Sequence, residues 1–186
     1  MRKISLIVKL GLVGAILSVI FSGCTATKVS RYGAVYSNVQ ELKKQNTKIN
    51  VNTFTAEDSK SSIMCRMKGP IETPNQETFE KYIENALIEE LRMADIYSKD
   101  AKIVLDGHLK EMSTSTALGL SYWEFTLKVS SNNGKSFTLT SKKEFESSFS
   151  AENACNDMTR AFRPAVEKLI TDIIMNDEFK RLITKE

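Results

Sequence analysis

The alternation of apolar and polar residues predicts four strands. It is strictest over residues 122–130, where one face carries four large apolar side chains: Trp123, Phe125, Leu127 and Val129. The same period of two occurs over residues 48–54, 102–112 and 136–149. Successive side chains of a strand point to opposite faces, so this period is typical of strands that pack on one face only. Residues 122–130 are therefore expected to form the central strand.

The same alternation selects the turn between the last two predicted strands. A two-residue loop would place Val129 opposite Thr138, which mixes apolar and polar residues on one face. A three-residue loop over residues 132–134 places Val129 opposite Phe137 and gives Gly134 the left-handed position of a bulged turn. We therefore expect the three-residue loop.

Two apolar stripes at helical spacing predict the main helices. The first follows Thr73, whose capping-box spacing with Gln76 predicts a helix start there. Its stripe consists of Phe79, Ile83, Ala86, Leu87, Leu91 and Ala94. The second stripe extends over residues 154–173, and Pro164 predicts a kink or a break within it. Asn176 is then expected to cap a short final helix.

The predicted order is strand, helix, three strands, helix. This order predicts an α+β fold with a mostly antiparallel sheet and helices on one face. Residues 47–186 are enough for a single globular α+β domain. The polar segment 24–46 is predicted to be a lipidated N-terminus and a tether that can end in a helical turn, and residues 55–69 show no periodic pattern.

Residues 1–23 have the layout of a secretory signal peptide. A basic start with Arg2 and Lys3 precedes an apolar run over residues 10–21 and two small residues. As a helix that run would rise only about 18 Å, whereas the hydrocarbon core of a bilayer is roughly 30 Å thick. A signal peptide is therefore favoured over a transmembrane helix.

The residues that end this segment, Phe21-Ser22-Gly23-Cys24, resemble the lipobox of bacterial lipoproteins. The resemblance implies that Cys24 carries a thioether-linked diacylglycerol, that cleavage precedes it, and that its new amino group is acylated, for example with palmitate. Two or more acyl chains form a lasting anchor. Thr25 stands where aspartate retains such proteins in the inner membrane, which implies the outer membrane and a domain facing the periplasm. The alternatives are the inner membrane, the cell surface, and a cysteine that is not lipidated.

The charge balance argues against nucleic-acid binding. The chain has 26 Lys and Arg against 23 Asp and Glu, a formal net charge of +3. Three of the positive charges lie in the predicted signal peptide, which has no acidic residue, so the rest of the chain is balanced. Binding a phosphate backbone needs clustered Lys and Arg, and here they occur only as isolated pairs. We expect a membrane as a partner through the anchor, and no nucleic acid.

The sequence offers little for catalysis or cofactor binding. The single histidine, His108, has the outward parity of a predicted strand, between Asp106 and Lys110. A closed zinc site needs four ligands, more than one His and two unlipidated Cys can supply. Neither a nucleophile elbow nor a glycine-rich phosphate loop is present. We expect no metal, no cofactor and no enzymatic activity.

Cys65 and Cys155 remain as a candidate disulfide. Export would place both thiols in an oxidising compartment, where two thiols usually form a disulfide. Each lies near the start of a predicted helix, and helices on one sheet face could bring these ends together. The alternatives are a reactive thiol at Cys155, activated by a helix N-terminus, and two separate buried thiols.

Residues 113–121 join two predicted strands and form a candidate partner-binding loop. Leu118, Gly119 and Leu120 stand there among Ser and Thr. Exposed leucines in a flexible loop can contact a partner, although leucines folded back onto the core are commoner. An unpaired sheet edge is the other candidate surface, through strand addition.

Taken together, the residues resemble a family of small, largely uncharacterised bacterial lipoproteins. The similar positions are Cys65-Arg66, Gly69-Pro70, Phe79, Tyr82-Ile83, Ala86-Leu87, Glu90-Leu91, residues 130–134, Ala154-Cys155, Phe162 and Pro164-Ala165-Val166. The family implies no activity. The expected function is that of a membrane-anchored, non-enzymatic lipoprotein that serves as an envelope accessory and binds an envelope protein. The alternative is a periplasmic lipid- or glycan-binding lipoprotein with an apolar groove between helices and sheet.

Overall fold

The computed structural model describes residues 26–184, so the predicted signal peptide and Cys24 lie outside the described residues. The described helices are α1 (Tyr36–Lys43), α2 (Phe79–Met93), α3 (Ala151–Ile174) and α4 (Asp177–Ile183). The strands are β1 (Thr27–Lys28), β2 (Ile49–Val51), β3 (Thr55–Ala56), β4 (Ser62–Cys65), β5 (Gly69–Glu72), β6 (Ile103–Ala117), β7 (Leu120–Ser131) and β8 (Ser136–Glu144). A short 3-10 turn occupies Pro74–Gln76.

The main sheet has the strand order β2-β6-β7-β8, and β3 also pairs with β6. β6, β7 and β8 form an antiparallel meander, whereas β2 and β3 are parallel to β6. The side chains of Trp123, Phe125, Leu127 and Val129 are buried on one face of β7, and helices cover that face. The predicted α+β class with a mostly antiparallel sheet is therefore confirmed.

The turn between β7 and β8 is the predicted three-residue loop. Val129 pairs with Phe137 and Leu127 with Leu139. Gly134 has a φ of 85°, a left-handed conformation that glycine adopts without steric cost. The apolar parity of the two strands therefore decided the register correctly.

An aromatic cluster lies between the sheet and the helices. The Phe162 ring on α3 packs edge-on against Trp123 at 5.1 Å between centroids and contacts Phe79 at 5.4 Å. The buried indole N–H of Trp123 donates to the Met158 carbonyl, with 2.9 Å from nitrogen to oxygen. Because this donor has a partner, the largest core side chain is buried without an unsatisfied polar group.

The predicted tether over residues 24–46 is wrong where the structure describes it. β1 pairs with β5, and α1 packs on α2 and α3. Val29, Val39 and Leu42 are buried in the same core as the main helices. This segment has too few apolar positions to give a clear sequence pattern. They are still sufficient to hold α1 on the core, because packing against distant residues stabilises a short helix more than its own propensity does.

The first main helix begins later than its capping box predicted. Thr73 is buried and its hydroxyl donates to the Glu77 carbonyl instead of accepting from a helix amide. Asn75 and Gln76 have positive φ, which interrupts the turn before Thr78, the residue that precedes α2. The predicted apolar stripe itself is buried, so the helix was identified correctly and its start was not.

Residues 55–72, most of which gave no periodic signal, contain three short strands. β4 pairs antiparallel with β5, and β1 adds to β5 in parallel. These strands have two to four residues, too short for an alternation to be recognised. β1, β4 and β5 form a second, three-stranded sheet, whereas β3 belongs to the main sheet through its pairing with β6.

Two predicted boundaries in the C-terminal half are corrected by the structure. α3 continues through Pro164 as one helix of 24 residues, so the predicted alternative of a break does not occur. The hydrogen bond lost at proline is offset by burial on both sides of it, for example of Phe162 and Val166. β8 ends at Glu144, five residues before the end of the predicted strand, and Phe149 lies outside it with 86% of its surface exposed.

Candidate functional site

His108, the single histidine, lies between two side chains of the neighbouring segment. His108 is partly exposed on β6, with Nδ1 2.8 Å from Thr55 Oγ1 and Nε2 3.1 Å from Glu57 Oε1. Among residues 26–184, no group of three or more His, Cys, Asp or Glu is arranged to hold a metal ion. In the same part of the chain, no helix has the length and apolar character needed to cross a bilayer.

The predicted flexible loop at residues 113–121 is largely a regular hairpin. β6 and β7 pair up to Ala117 and Leu120, so only Leu118 and Gly119 form the turn. Gly119 has a φ of 73°, which favours glycine at this position. Leu118 and Leu120 are 56% and 72% exposed, so they do not fold back onto the core. The hairpin presents both leucines at its tip on a paired backbone.

Another exposed apolar residue, Met67, lies in the turn between β4 and β5. Cys65 pairs with Gly69, which leaves Arg66, Met67 and Lys68 as the loop. Arg66 and Met67 have φ of 41° and 54°, a conformation that favours glycine or asparagine over methionine. The Met67 side chain is 94% exposed. This backbone therefore holds a large apolar side chain in solvent.

The Arg66 guanidinium joins three segments of the chain at this end. Its Nε donates to Thr116 Oγ1 at 2.8 Å, and another of its nitrogens donates to the Thr116 carbonyl. It also donates to the Phe149 carbonyl at 3.1 Å. The β4–β5 turn, the β6–β7 hairpin and the loop before α3 are therefore adjacent.

The Cys65–Cys155 disulfide adds a covalent link at the same place. The structure joins the two sulfurs, with 5.8 Å between the Cα atoms, and both cysteines are buried. Cys65 directly precedes Arg66, and Cys155 is in the first turns of α3. The bond therefore fixes the β4–β5 turn against the start of α3.

The loop that carries Phe149 is held from the other side by Asp157 on α3. The backbone N–H and the hydroxyl of Ser148 both donate to Asp157 Oδ2, at 2.9 and 2.6 Å. These hydrogen bonds, with Arg160 nearby, lower the pKa of the Asp157 carboxyl below its usual value. Ser150 then caps α3 by accepting from the Asn153 N–H. Phe149 is thus exposed between two anchored residues.

We call the resulting surface the apolar end, defined by Met67, Leu118, Leu120 and Phe149. Scattered exposed apolar residues are normal, but these four are carried by three segments that Arg66 and the disulfide hold together, so this end of the domain is a candidate interaction surface. The sequence pattern indicates the two leucines but neither Met67 nor Phe149. Met67 and Phe149 each stand alone among polar neighbours, so only the long-range contacts of Arg66 reveal that they belong together.

The chain enters the described structure beside the apolar end. β1 runs parallel to β5 with Thr27 paired to Ile71, so Ala26 lies towards Pro70 and the β4–β5 turn. The two larger surface cavities described are elsewhere. One of about 530 Å³ lies near Lys48, Asp100 and Thr184, and one of about 210 Å³ lies near Arg31, Tyr32 and Glu89. Both are lined mainly by polar residues.

Buried polar contacts hold the N-terminal segment on α2. Glu90 Oε1 accepts from the Tyr32 hydroxyl at 2.6 Å, the Val35 N–H at 2.9 Å and Asn38 Nδ2 at 3.0 Å. Burial, together with the Glu90 carboxylate, raises the pKa of the Tyr32 hydroxyl far above its usual value, so it stays protonated as a donor. Three donors converge on one oxygen of Glu90, so the cluster holds the N-terminal segment against α2, while Glu90 Oε2 and Asn38 Oδ1 are buried without a hydrogen-bond partner.

Comparisons with known proteins add a fold but no activity. No family model matches the chain, and no curated protein matches it. A solved structure, the protein XCC0632 from Xanthomonas campestris, family model DUF330, is similar, with a TM-score of 0.54. The two share 10% sequence identity over 81% of this chain and 95% of that one. At this identity the likeness shows a shared fold alone.

Proposed function

We propose that this chain is a lipid-anchored, non-enzymatic component of a bacterial outer membrane that binds a partner protein. The lipobox-like residues that end at Cys24 support the anchor. The domain would face the periplasm, where the Cys65–Cys155 disulfide is stable.

The observation that carries the binding role is the outer edge of β8. Within residues 26–184, β8 pairs only with β7, so its other edge has no strand partner. Its first six residues, 136–141, carry no charge and no proline, and its three charged residues, Lys142, Lys143 and Glu144, are confined to its C-terminal end. Natural edge strands are usually blunted by charges, proline or bulges, because an uncharged edge is a template for another strand. Such an edge is suited to strand addition by a partner.

The hydrogen-bond pattern identifies which backbone groups the edge offers. The Ser131 N–H donates to the Lys135 carbonyl, and the Phe145 N–H donates to the Ser121 carbonyl. Bonded pairs alternate along an antiparallel ladder, so the odd-numbered residues of β8 bond to β7. The N–H and C=O groups of Thr138 and Thr140 therefore point away from the sheet, where a partner strand would pair.

The alternative of a lipid or glycan groove between helices and sheet receives less support. In the described structure that space is filled by core side chains, including Trp123, Phe125 and Phe162, all fully buried. Core packing of this kind leaves no room for a ligand without moving an aromatic ring.

The anchor is tested by the intact mass of the protein purified from membranes. We expect a mass increase of a diacylglycerol and an acyl chain, lost in Cys24→Ser together with membrane association. A wild-type chain that remains in membranes with an unmodified Cys24 would show that the anchor is wrong.

The edge is tested with photocrosslinking from position 140 in intact cells, with and without two substitutions at Thr138. Thr138→Pro removes an outward N–H that a partner strand would bond, so it should abolish capture of the crosslinked protein. The sheet itself should stay intact, because no hydrogen bond between β7 and β8 is lost. Thr138→Ala keeps the N–H and serves as the matched control. If both variants capture the same protein as well as wild type, strand addition at this edge is refuted.

A further inference from the structure

We propose that the apolar end docks against the lipid surface in which Cys24 is anchored, an inference that rests on the lipid anchor proposed above. The hairpin leucines, first predicted to bind a partner protein, would then contact acyl chains and headgroups. The partner protein would be left to the β8 edge. Three observations lead to this assignment: where the chain enters the domain, how the apolar side chains are held, and what they are.

The position of the anchor follows from the chain length. Cys24 is two residues before Ala26, so the two Cα atoms are at most about 7 Å apart. Ala26 lies towards Pro70, at the end of β5 that adjoins the β4–β5 turn. Met67 is in that turn, so acyl chains on Cys24 would enter the bilayer next to the apolar end.

The apolar end is held rigidly, which suits docking. Arg66 binds the backbone at Thr116 and Phe149, the disulfide fixes Cys65, and Ser148 is bound to Asp157. Little conformational entropy would be lost when the side chains enter another phase, because their segments are already ordered. A loop that became ordered only on binding would lose part of the favourable binding free energy to this entropy cost.

The chemistry of the four side chains also fits a lipid surface. Met67, Leu118, Leu120 and Phe149 are flexible or aromatic apolar groups, the types that insert at the boundary of headgroups and acyl chains. An anchor a few ångströms away keeps them at high effective concentration near the bilayer, so even weak insertion would persist. One acyl-anchored residue and four apolar side chains would thus fix the orientation of the domain.

The test uses the full lipidated chain reconstituted in phosphatidylcholine vesicles with brominated acyl chains, which quench nearby tryptophan. Phe149→Trp reports on the apolar end. Met175→Trp is the matched control, an exposed residue at the other end of α3, about 36 Å along its axis. Trp123 is buried and contributes the same background to both variants.

We expect bromine to quench Phe149→Trp at least about threefold more than Met175→Trp, as insertion at the headgroup boundary requires. Equal quenching, or none at either residue, overturns the docking. The intact mass of the same sample reports whether Cys24 carries lipid. A lipidated sample without selective quenching refutes the docking and leaves the anchor in place.

If the mass shows no lipid, the anchor is wrong and docking is judged on the same full chain by co-sedimentation with phosphatidylcholine vesicles. Docking predicts that binding falls about tenfold in a variant with serine at four positions: Met67, Leu118, Leu120 and Phe149. Met93→Ser combined with Met175→Ser is the control, which changes two exposed apolar residues outside the apolar end and should bind like wild type. No binding by the wild type overturns the proposal.

A second copy of the chain is the competing occupant of this surface. Sedimentation velocity of Cys24→Ser without vesicles distinguishes it. A monomer agrees with docking on lipid. A dimer that the four-serine variant abolishes would assign the apolar end to self-association and overturn the proposal.

Discussion

Removing the Cys65–Cys155 disulfide should lower the stability of the domain by a large fraction of its total. The bonded cysteines are 90 residues apart in the sequence. For a loop of this length the chain-entropy model gives a stabilisation of about 4.6 kcal/mol at 25 °C. Domains are typically stable by only about 5 to 15 kcal/mol, so the loss would be easily measured.

The perturbation is Cys65→Ala combined with Cys155→Ala, in a Cys24→Ser background so that no other thiol is present. Alanine is preferred to serine because both sites are buried and a hydroxyl would lack a partner. Urea unfolding followed by tryptophan fluorescence reports on Trp123 in the core. With an m-value of about 2 kcal/mol per molar, the midpoint should fall by roughly 2 M.

Reductant supplies the internal control. It should shift the midpoint of the disulfide-containing protein to that of the double alanine variant, and it should leave the variant unchanged. If the oxidised protein and the double variant unfold at the same urea concentration, the loop-closure reasoning is refuted. If reductant leaves the urea midpoint of both proteins unchanged, the disulfide does not form.

Three further substitutions test the packing. Gly107→Ala would place a Cβ about 2.5 Å from Phe54 Cδ2, so we expect a loss of about 1 to 3 kcal/mol in thermal unfolding, and an unchanged melting temperature would contradict this contact. Glu90→Ala leaves the partly buried Tyr32 hydroxyl without its acceptor and should lower the free energy of unfolding by about 2 to 4 kcal/mol. Proteolysis of the N-terminal segment should become faster. Wild-type protease resistance would argue against a stabilising role of the cluster. Asn133→Ala removes donation to carbonyls at the end of α4, at 3.1 Å, and should raise hydrogen exchange there at a cost of about 1 kcal/mol; unchanged exchange would mean that this cap contributes nothing.

The sequence was informative where one face of an element is buried. In β7 the burial of Trp123 and Val129 imposes a period of two, which determined both the strand and the loop that follows. The α2 and α3 stripes were recognised for the same reason at helical spacing. The start of α2 was predicted too early. The Thr73 hydroxyl donates to the Glu77 carbonyl, and the capping-box spacing of the sequence does not show this hydrogen bond.

The remaining elements depend on contacts between distant residues. Residues 113–117 of β6 are mostly Ser and Thr that are half-exposed, so neither face produces an apolar pattern. α1 is fixed by Asn38 contacting Glu90, 52 residues away. The apolar end likewise exists only because Arg66 reaches Thr116 and Phe149, 50 and 83 residues along the chain. Local sequence cannot show such pairings.

The length of the β6–β7 hairpin gives the domain a long lever arm. β6 has 15 residues and therefore extends about 46 Å from Ala117, beside the tip, to Ile103. If the tip is the pivot on a membrane, a tilt of 10° moves the far end sideways by about 8 Å. A single acyl-anchored residue would let that end sweep widely, whereas a second contact at the tip would restrict its arc. The height and direction at which β8 meets a partner would then be mechanical properties of the hairpin.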